Sequence, residues 1–258
     1  MTVPTYVEGH GLLADKVVVV TAAAGAGIGF AVARRAVEEG ATVVVSDVHE
    51  RRLAEAADAL EALAGQRPVA RLCDVRHEAD VQGLMDATVA EHGRIDVLVN
   101  NAGLGGEIRL VDMTDEEWDR VLDITLTGTM RCTRAALRIM EAQGHGVIVN
   151  NASVVGWRAQ AGQTHYAAAK AGVMALTRCS AMEAAGSGIR INCVSPSLAM
   201  HPFLARSSSE ELLDSLVEGE AFGRAAEPWE VANVMVFLAS DYSSYMTGEV
   251  VSVSSRHP

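Results

Sequence analysis

Short apolar runs alternate with longer amphipathic stretches along the chain. Lys16-Val-Val-Val-Val-Thr21, Thr42-Val-Val-Val-Ser46, Val69–Cys73, Ile95–Asn100, Gly146–Asn151, Ile189–Val194 and Glu249–Val253 are strand-length and mostly rich in β-branched residues. Continuous apolar runs of this kind mark strands covered on both faces. Between them, Phe30–Gly40, Glu50–Ala64, Glu78–His92, Asp115–Gln143, Tyr166–Ala185 and Pro228–Ala239 carry helical periodicity. The alternation predicts the α/β class: one doubly wound domain, with a seven-stranded parallel sheet and helices on both faces. Leu198–Arg224 interrupts the rhythm. Within it, Ser207-Ser-Ser-Glu-Glu-Leu-Leu reads as a helix N-cap followed by acids in the first turn.

In such sheets ligands bind beyond the carboxyl ends of the strands, where strand order reverses. The first apolar run is followed by Ala22-Ala-Ala-Gly25-Ala-Gly27-Ile28-Gly29 and then a helix. Strand, glycine turn and helix are the context a dinucleotide requires, because glycines let the backbone approach the pyrophosphate and the helix offers free N–H groups. Alone, such a turn is weak support. Asp47 closes the second strand, where an acid would meet a ribose hydroxyl. Asp74, Asn101, Ser153 and Pro196 also follow strands and are expected along the same edge.

Tyr166 and Lys170 are four residues apart, with Ser153 thirteen residues before the tyrosine. On a helix the pair would share one face. An ammonium there favours ionisation of a phenol, giving a proton donor and acceptor usable near neutral pH. The pair alone fits a surface tyrosine and a solvated lysine equally well.

Composition narrows the remaining possibilities. The chain has 258 residues and is 49% apolar, which suits one domain over 1–258 without a linker. No run has membrane-spanning length, and Met1–Tyr6 lacks a basic region followed by an apolar core, so a cytoplasmic location is expected. The net charge of −12 argues against a nucleic-acid surface and otherwise means solubility. Cys73, Cys132, Cys179 and Cys193 form no CxxC pair and read as reduced thiols, and the scattered histidines predict no metal.

Taken in order, the glycine turn, Asp74-Val75, Asn100-Asn101-Ala-Gly103, Ser153, Tyr166, Lys170, Pro196 and Thr247-Gly248 resemble the short-chain dehydrogenase/reductase family over nearly the whole chain. The resemblance implies a Rossmann domain and an NAD(P)-dependent exchange between a ketone and a secondary alcohol. Tyr166 would exchange a proton with the substrate oxygen, Ser153 would hydrogen-bond it, and Lys170 would bind the ribose and lower the tyrosine pKa. Gly25, Gly27, Ile28, Gly29, Asp47, Asp74, Val75, Asn101, Gly103, Pro196, Ala199 and His201 would surround the cofactor, together with Tyr166 and Lys170. Residues 198–224 would be a small helical substrate lid lined by Met200, Phe203, Leu204 and Phe222, with an ordinary helical excursion as the alternative.

Several positions depart from the family pattern. Thr125 stands where a fourth catalytic position is usually asparagine. In the family that residue's main-chain carbonyl helps hold a water leading to the lysine, so the expectation is that the carbonyl carries the role and the hydroxyl is dispensable. The glycine turn is one residue longer than the family pattern, with alanine in place of its first glycine. Ser197 replaces a glycine, and His201 stands where a threonine often meets the carboxamide. His201 could bond the nicotinamide amide or be a lid residue without a ligand.

Asp47 can accept from a free 2′-hydroxyl and repels a 2′-phosphate, which favours NAD over NADP. Arg51 and Arg52 lie close by and read as a solvated helix start. Thr21–Gly29 together with Ser46–Leu53 resembles a bacterial subgroup acting on indane-type acids carried as CoA thioesters in breakdown of the last steroid rings. A 3-oxoacyl thioester reductase, a dehydrogenase of small sugars or polyols, and a non-catalytic dinucleotide sensor remain alternatives. Family members pair through the helices equivalent to Asp115–Gln143 and Tyr166–Ala185, which implies a homotetramer or homodimer.

Overall fold

The computed structural model describes residues 2–200 and 210–255. Its strands are β1 (Val17–Val20), β2 (Thr42–Asp47), β3 (Val69–Leu72), β4 (Val97–Asn100), β5 (Gly146–Asn151), β6 (Ile189–Pro196) and β7 (Val250–Val253). They form one seven-stranded sheet in the order β3-β2-β1-β4-β5-β6-β7, and every pairing is parallel. Helices α1 (Ile28–Glu38), α2 (Glu50–Ala64), α3 (Glu78–His92), α4 (Asp115–Leu122), α5 (Gly128–Gln143), α6 (Thr164–Ala184), α7 (Glu210–Glu218) and α8 (Pro228–Ala239) supply the layers.

The period of two along each strand explains the two faces. Val18, Val20, Val43, Val45, Val97, Val99 and Val149 point to one core with Ala33 and Ala36 of α1, Leu53 of α2 and Met235 of α8. Their neighbours Val19, Val44, Leu98 and Ile148 point the other way, against Leu84 of α3, Met140 of α5 and Ala181 of α6. Fully burying each valine or leucine contributes about 1.5–3 kcal/mol. Polar edges at the strand ends are therefore left to face the crevice between β1 and β4, where the order reverses.

One expected element is corrected. Asp115–Gln143 is not a single helix: α4 and α5 are separated by a π-helical turn, Asp123–Thr127. Gly128 N–H reaches Asp123 O across it. The physical reason lies outside the helix. The Thr125 side chain is committed to the Leu104 backbone, and a Cβ at Gly128 would lie 2.6 Å from Val75 Cγ2. The wider turn accommodates both contacts. A single added residue leaves the apolar periodicity of so long a segment almost unchanged.

Residues 6–12 run along the C-terminal end of α1 and are held by charge. Arg35 donates to Glu39 Oε1 at 2.5 Å, to Glu8 O at 3.1 Å and to Val7 O. Glu39 Oε2 accepts from His10 N at 2.8 Å and Leu12 N at 2.9 Å. Glu39 is fully buried. Burial raises its pKa, but the N–H groups of Leu12 and His10 and the Arg35 charge outweigh it, so the carboxyl sits below its ordinary value. Tyr6 packs edge-on against Trp229 of α8.

Candidate active site

The glycine turn enters α1 without a side-chain cap at Gly27 and without an acid in the first turn. The first N–H groups of the helix therefore lack an anionic or capping side-chain partner, which suits a phosphate. Gly25 has φ +90°, and the unusual Ala22 has φ 49° in the same left-handed region. Ala22 is held there by its carbonyl, which accepts from Asn101 Nδ2 at 3.0 Å. Gly29 is the close-approach glycine: a Cβ would lie 2.4 Å from both Ala22 O and Asn101 Nδ2. The residues present thus form a tight, anion-ready cradle for a dinucleotide.

Asp47, at the end of β2, is buried and borders this turn. Its carboxylate accepts from Ala24 N at 3.3 Å and His49 N at 3.0 Å. Burial raises its pKa, opposed by the Ala24 N–H and the nearby Arg52 charge. Arg51 is solvated and pairs with Glu55 at 3.4 Å, whereas Arg52 is half-buried within electrostatic reach of Asp47. Asp74 is chelated by Arg76, with contacts of 3.0 and 2.6 Å, and this bond holds its carboxyl below the usual range. The Val75 side chain packs inward against Gly128.

Ser153, Tyr166 and Lys170 come together from two elements: the turn after β5 and the first half of α6. The Ser153 side chain faces the Tyr166 phenol closely enough to favour its ionised form. Lys170 Nζ lies 5.5 Å from the tyrosine ring centroid and donates to Asn151 O at 2.5 Å. Burial pushes the Tyr166 phenol up to about 12, with the Ser153 side chain opposing it. Burial also pushes Lys170 down to about 8. Desolvation is the largest influence on both groups, and it opposes the lowering of the phenol expected from the ammonium.

The loop after β4 lies directly over these side chains. A Cβ at Gly103 would be 3.3 Å from Lys170 Nζ, at Gly105 3.6 Å from the Tyr166 ring, and at Gly106 3.3 Å from the buried His165 Nε2. Thr125 holds the loop through the Leu104 backbone, and the Thr125 carbonyl accepts from Thr129 Oγ1 at 2.8 Å. The carbonyl expected to serve a proton relay thus already has a partner within the helix, and the hydroxyl has a task of its own.

Pro196 ends β6 opposite Val253. Ala199 is buried and bridges to Ala226. Met200 is half-buried and Phe222 exposed. His201, Phe203, Leu204 and the Ser207 cap lie outside the described residues, so of the expected lid only residues 198–200 and 210–224, including α7, are described.

Two features escaped the sequence reading. One is the pair Gly105 and Gly106, which carry the loop on from the expected Gly103 over Tyr166 and His165. The other is Asn151, the second of two amides that close β5 beside the Asn100-Asn101 pair at the end of β4. That juxtaposition was the available signal.

Sheet order, glycine cradle and the serine–tyrosine–lysine cluster define a nicotinamide-dinucleotide oxidoreductase. Residues 22–255 match the profile of a family described as enoyl-(acyl carrier protein) reductase. The chain belongs to the short-chain dehydrogenase/reductase family. It is 66% identical over 256 residues to the (5R,7aS)-5-hydroxy-7a-methyl-1-oxo-2,3,5,6,7,7a-hexahydro-1H-indene-carboxyl-CoA reductase of Mycobacterium tuberculosis, covering 99% of this chain and 98% of that one. It is 43% identical to a cis-4-hydroxycyclohexanecarboxylate dehydrogenase of Sinomonas cyclohexanicum, covering 95% and 97%. A solved short-chain dehydrogenase from Mycobacterium smegmatis superposes with a TM-score of 0.89 at 61% identity, covering 100% of this chain and 99% of that one.

Proposed function

We propose that this enzyme interconverts a ring ketone and a secondary alcohol on a bicyclic, indane-type acid carried as a CoA thioester, using NAD(H). The observation that carries the chemistry is the convergence of Ser153, Tyr166 and Lys170 beneath the glycine loop, beside an anion-ready turn. The substrate class rests on the likeness to the mycobacterial indene-carboxyl-CoA reductase over nearly the full length of both chains. The relative acting on a hydroxylated cyclohexane ring supports an alicyclic substrate.

A bound nicotinamide supplies or accepts the hydride. Tyr166 gives its proton to the ketone oxygen during reduction and takes it back during oxidation. Ser153 orients that oxygen and hydrogen-bonds the phenol. Lys170 holds ribose hydroxyls and contributes a fixed charge that favours the tyrosinate. Gly25, Gly27, Ile28 and Gly29 receive the pyrophosphate, and Asp47 accepts from the adenosine ribose. Asp74, Val75, Asn101, Gly103, Pro196, Ala199 and His201 complete the proposed cofactor site. A cytoplasmic homotetramer or homodimer accompanies this reading.

The test is a comparison of purified protein on bicyclic keto-CoA thioesters and straight-chain 3-oxoacyl thioesters, with NADH and NADPH. The expected result is highest kcat/KM for the bicyclic substrate with NADH. Preference for the straight chain would favour a 3-oxoacyl thioester reductase. Dinucleotide binding without turnover of any ketone would favour a sensor.

A further inference from the structure

Asn151 ends β5 with three polar groups in three different situations. Its Nδ2 donates to Asn101 Oδ1 at 3.0 Å. Its main-chain carbonyl accepts from Lys170 Nζ at 2.5 Å. Its Oδ1 is buried and has no hydrogen-bond partner among the described residues.

The orientation of the amide pair follows from its neighbours. Asn101 Nδ2 faces the carbonyls of Ala22 at 3.0 Å and Thr21 at 3.3 Å. Asn101 Oδ1 therefore faces residue 151 and needs a donor there. Asn101 is also tied to the turn by its own N–H, which donates to Thr21 Oγ1 at 3.0 Å. It touches the start of α1 as well, since a Cβ at Gly29 would meet its amide. A continuous polar path thus runs from the phosphate-binding turn, through Asn101, to the residue that holds the lysine.

An apolar side chain at this strand end, whose partner across the ladder is the buried Val194, would bring no unsatisfied acceptor with it. Retaining an amide whose oxygen lacks a partner is unfavourable for folding alone. Its donor, aimed at Asn101, is what the position gains.

We propose that Asn151 is a positioning residue that fixes Lys170 relative to the glycine turn and thereby sets affinity for the nicotinamide dinucleotide. The inference rests on the oxidoreductase reading above. The side chain secures Asn101 and, through it, the left-handed Ala22. The carbonyl of the same residue secures the ammonium. Displacement at 151 therefore moves both ends of the cofactor site together.

NADH binding is titrated by fluorescence for the wild type, Asn151→Leu and the isosteric Asn151→Asp, which cannot donate when ionised. Thermal stability and KM for the keto substrate are measured alongside. Both variants are expected to bind NADH roughly five- to twenty-fold more weakly, the loss of one good hydrogen bond, with substrate KM nearly unchanged. NADH affinity within about twofold of wild type in the folded variants would overturn the proposal, as would equal losses of cofactor and substrate affinity. If Asn151→Leu does not fold, Asn151→Asp decides. Should the wild type bind neither NADH nor NADPH, the oxidoreductase reading itself falls; binding by wild type and variants alike removes only the role of Asn151.

Discussion

Thr125 Oγ1 grips the backbone of Leu104 at both ends, accepting from its N–H at 3.0 Å and donating to its carbonyl at 3.1 Å. Through this double bond the π-helical turn pins the glycine loop over Lys170, Tyr166 and His165. The expectation that only the main-chain carbonyl matters at position 125 is revised accordingly. Thr125→Val keeps the shape but strands two Leu104 groups, at about 1–3 kcal/mol in stability. We expect kcat to fall roughly tenfold as the loop loosens, with Thr125→Ser restoring most of it. Thr125→Val with wild-type kcat would leave the hydroxyl a packing feature.

Tyr166→Phe removes the proposed proton donor and little volume. Turnover is expected to drop by about 10²–10⁴-fold, the range of general acid–base assistance, while NADH affinity stays within a factor of about two. Comparable losses in both quantities would contradict the separation of roles.

Lys170 is buried with no carboxylate beside it among the described residues, so folding works against its protonated form. Its folded pKa of about 8 lies below the ordinary 10.5. The unfolded chain then holds more protons between those values, and stability should rise with pH across that window. Below it the penalty is fully present. Lys170→Met should therefore stabilise the cofactor-free protein at pH 7 by about 1–3 kcal/mol while abolishing turnover. Calorimetric melting of the two proteins at pH 7 checks the sign; a destabilised variant would mean the Asn151 bond outweighs desolvation.

Asp47 faces the turn with a carboxylate already bonded to two backbone N–H groups, and Arg52 stands near enough to feel its charge. NADH is expected to outperform NADPH in kcat/KM, and Asp47→Ser to narrow the ratio by roughly tenfold or more. A wild-type preference for NADPH would place Arg52 on the 2′-phosphate.

Glu39 satisfies two backbone N–H groups and the buried Arg35. Glu39→Ala leaves that guanidinium uncompensated and should cost about 3–5 kcal/mol, seen as a large fall in Tm. Because the Glu39 pKa is lowered in the folded state, this contribution is present above the ordinary carboxylate range and disappears as pH falls through the folded value. An unchanged Tm would show that the segment over α1 contributes little.

The sheet was legible because its strands are continuous runs such as Val17–Val20, and because parallel strands joined by helices allow few topologies. The meeting of Tyr166 and Lys170 was legible because they are local partners on one helix. Contacts between distant segments were not. Nothing near Thr125 in sequence announces Leu104, and nothing near Asn151 announces Asn101. The balance of charge was also hidden: the spacing of Tyr166 and Lys170 brings them together, but only the packing around them shows how strongly burial opposes ionising either. Ala22 was recognisable as an odd residue in the turn, yet the amide that stabilises its left-handed backbone lies one strand away.

The segment clasped by Arg35 and Glu39 bears on how the protein is handled. α1 is 11 residues long, about 16 Å at 1.5 Å per residue, with the phosphate-binding turn at one end and the clasp at the other. An affinity tag joined ahead of Tyr6 would extend from a segment that packs along α1 and against Trp229 of α8, leaving the clasp whole. Trimming the chain past Leu12 instead strips the backbone partners of both clasp side chains. Preparations for kinetic work are thus best extended at this end and never shortened there.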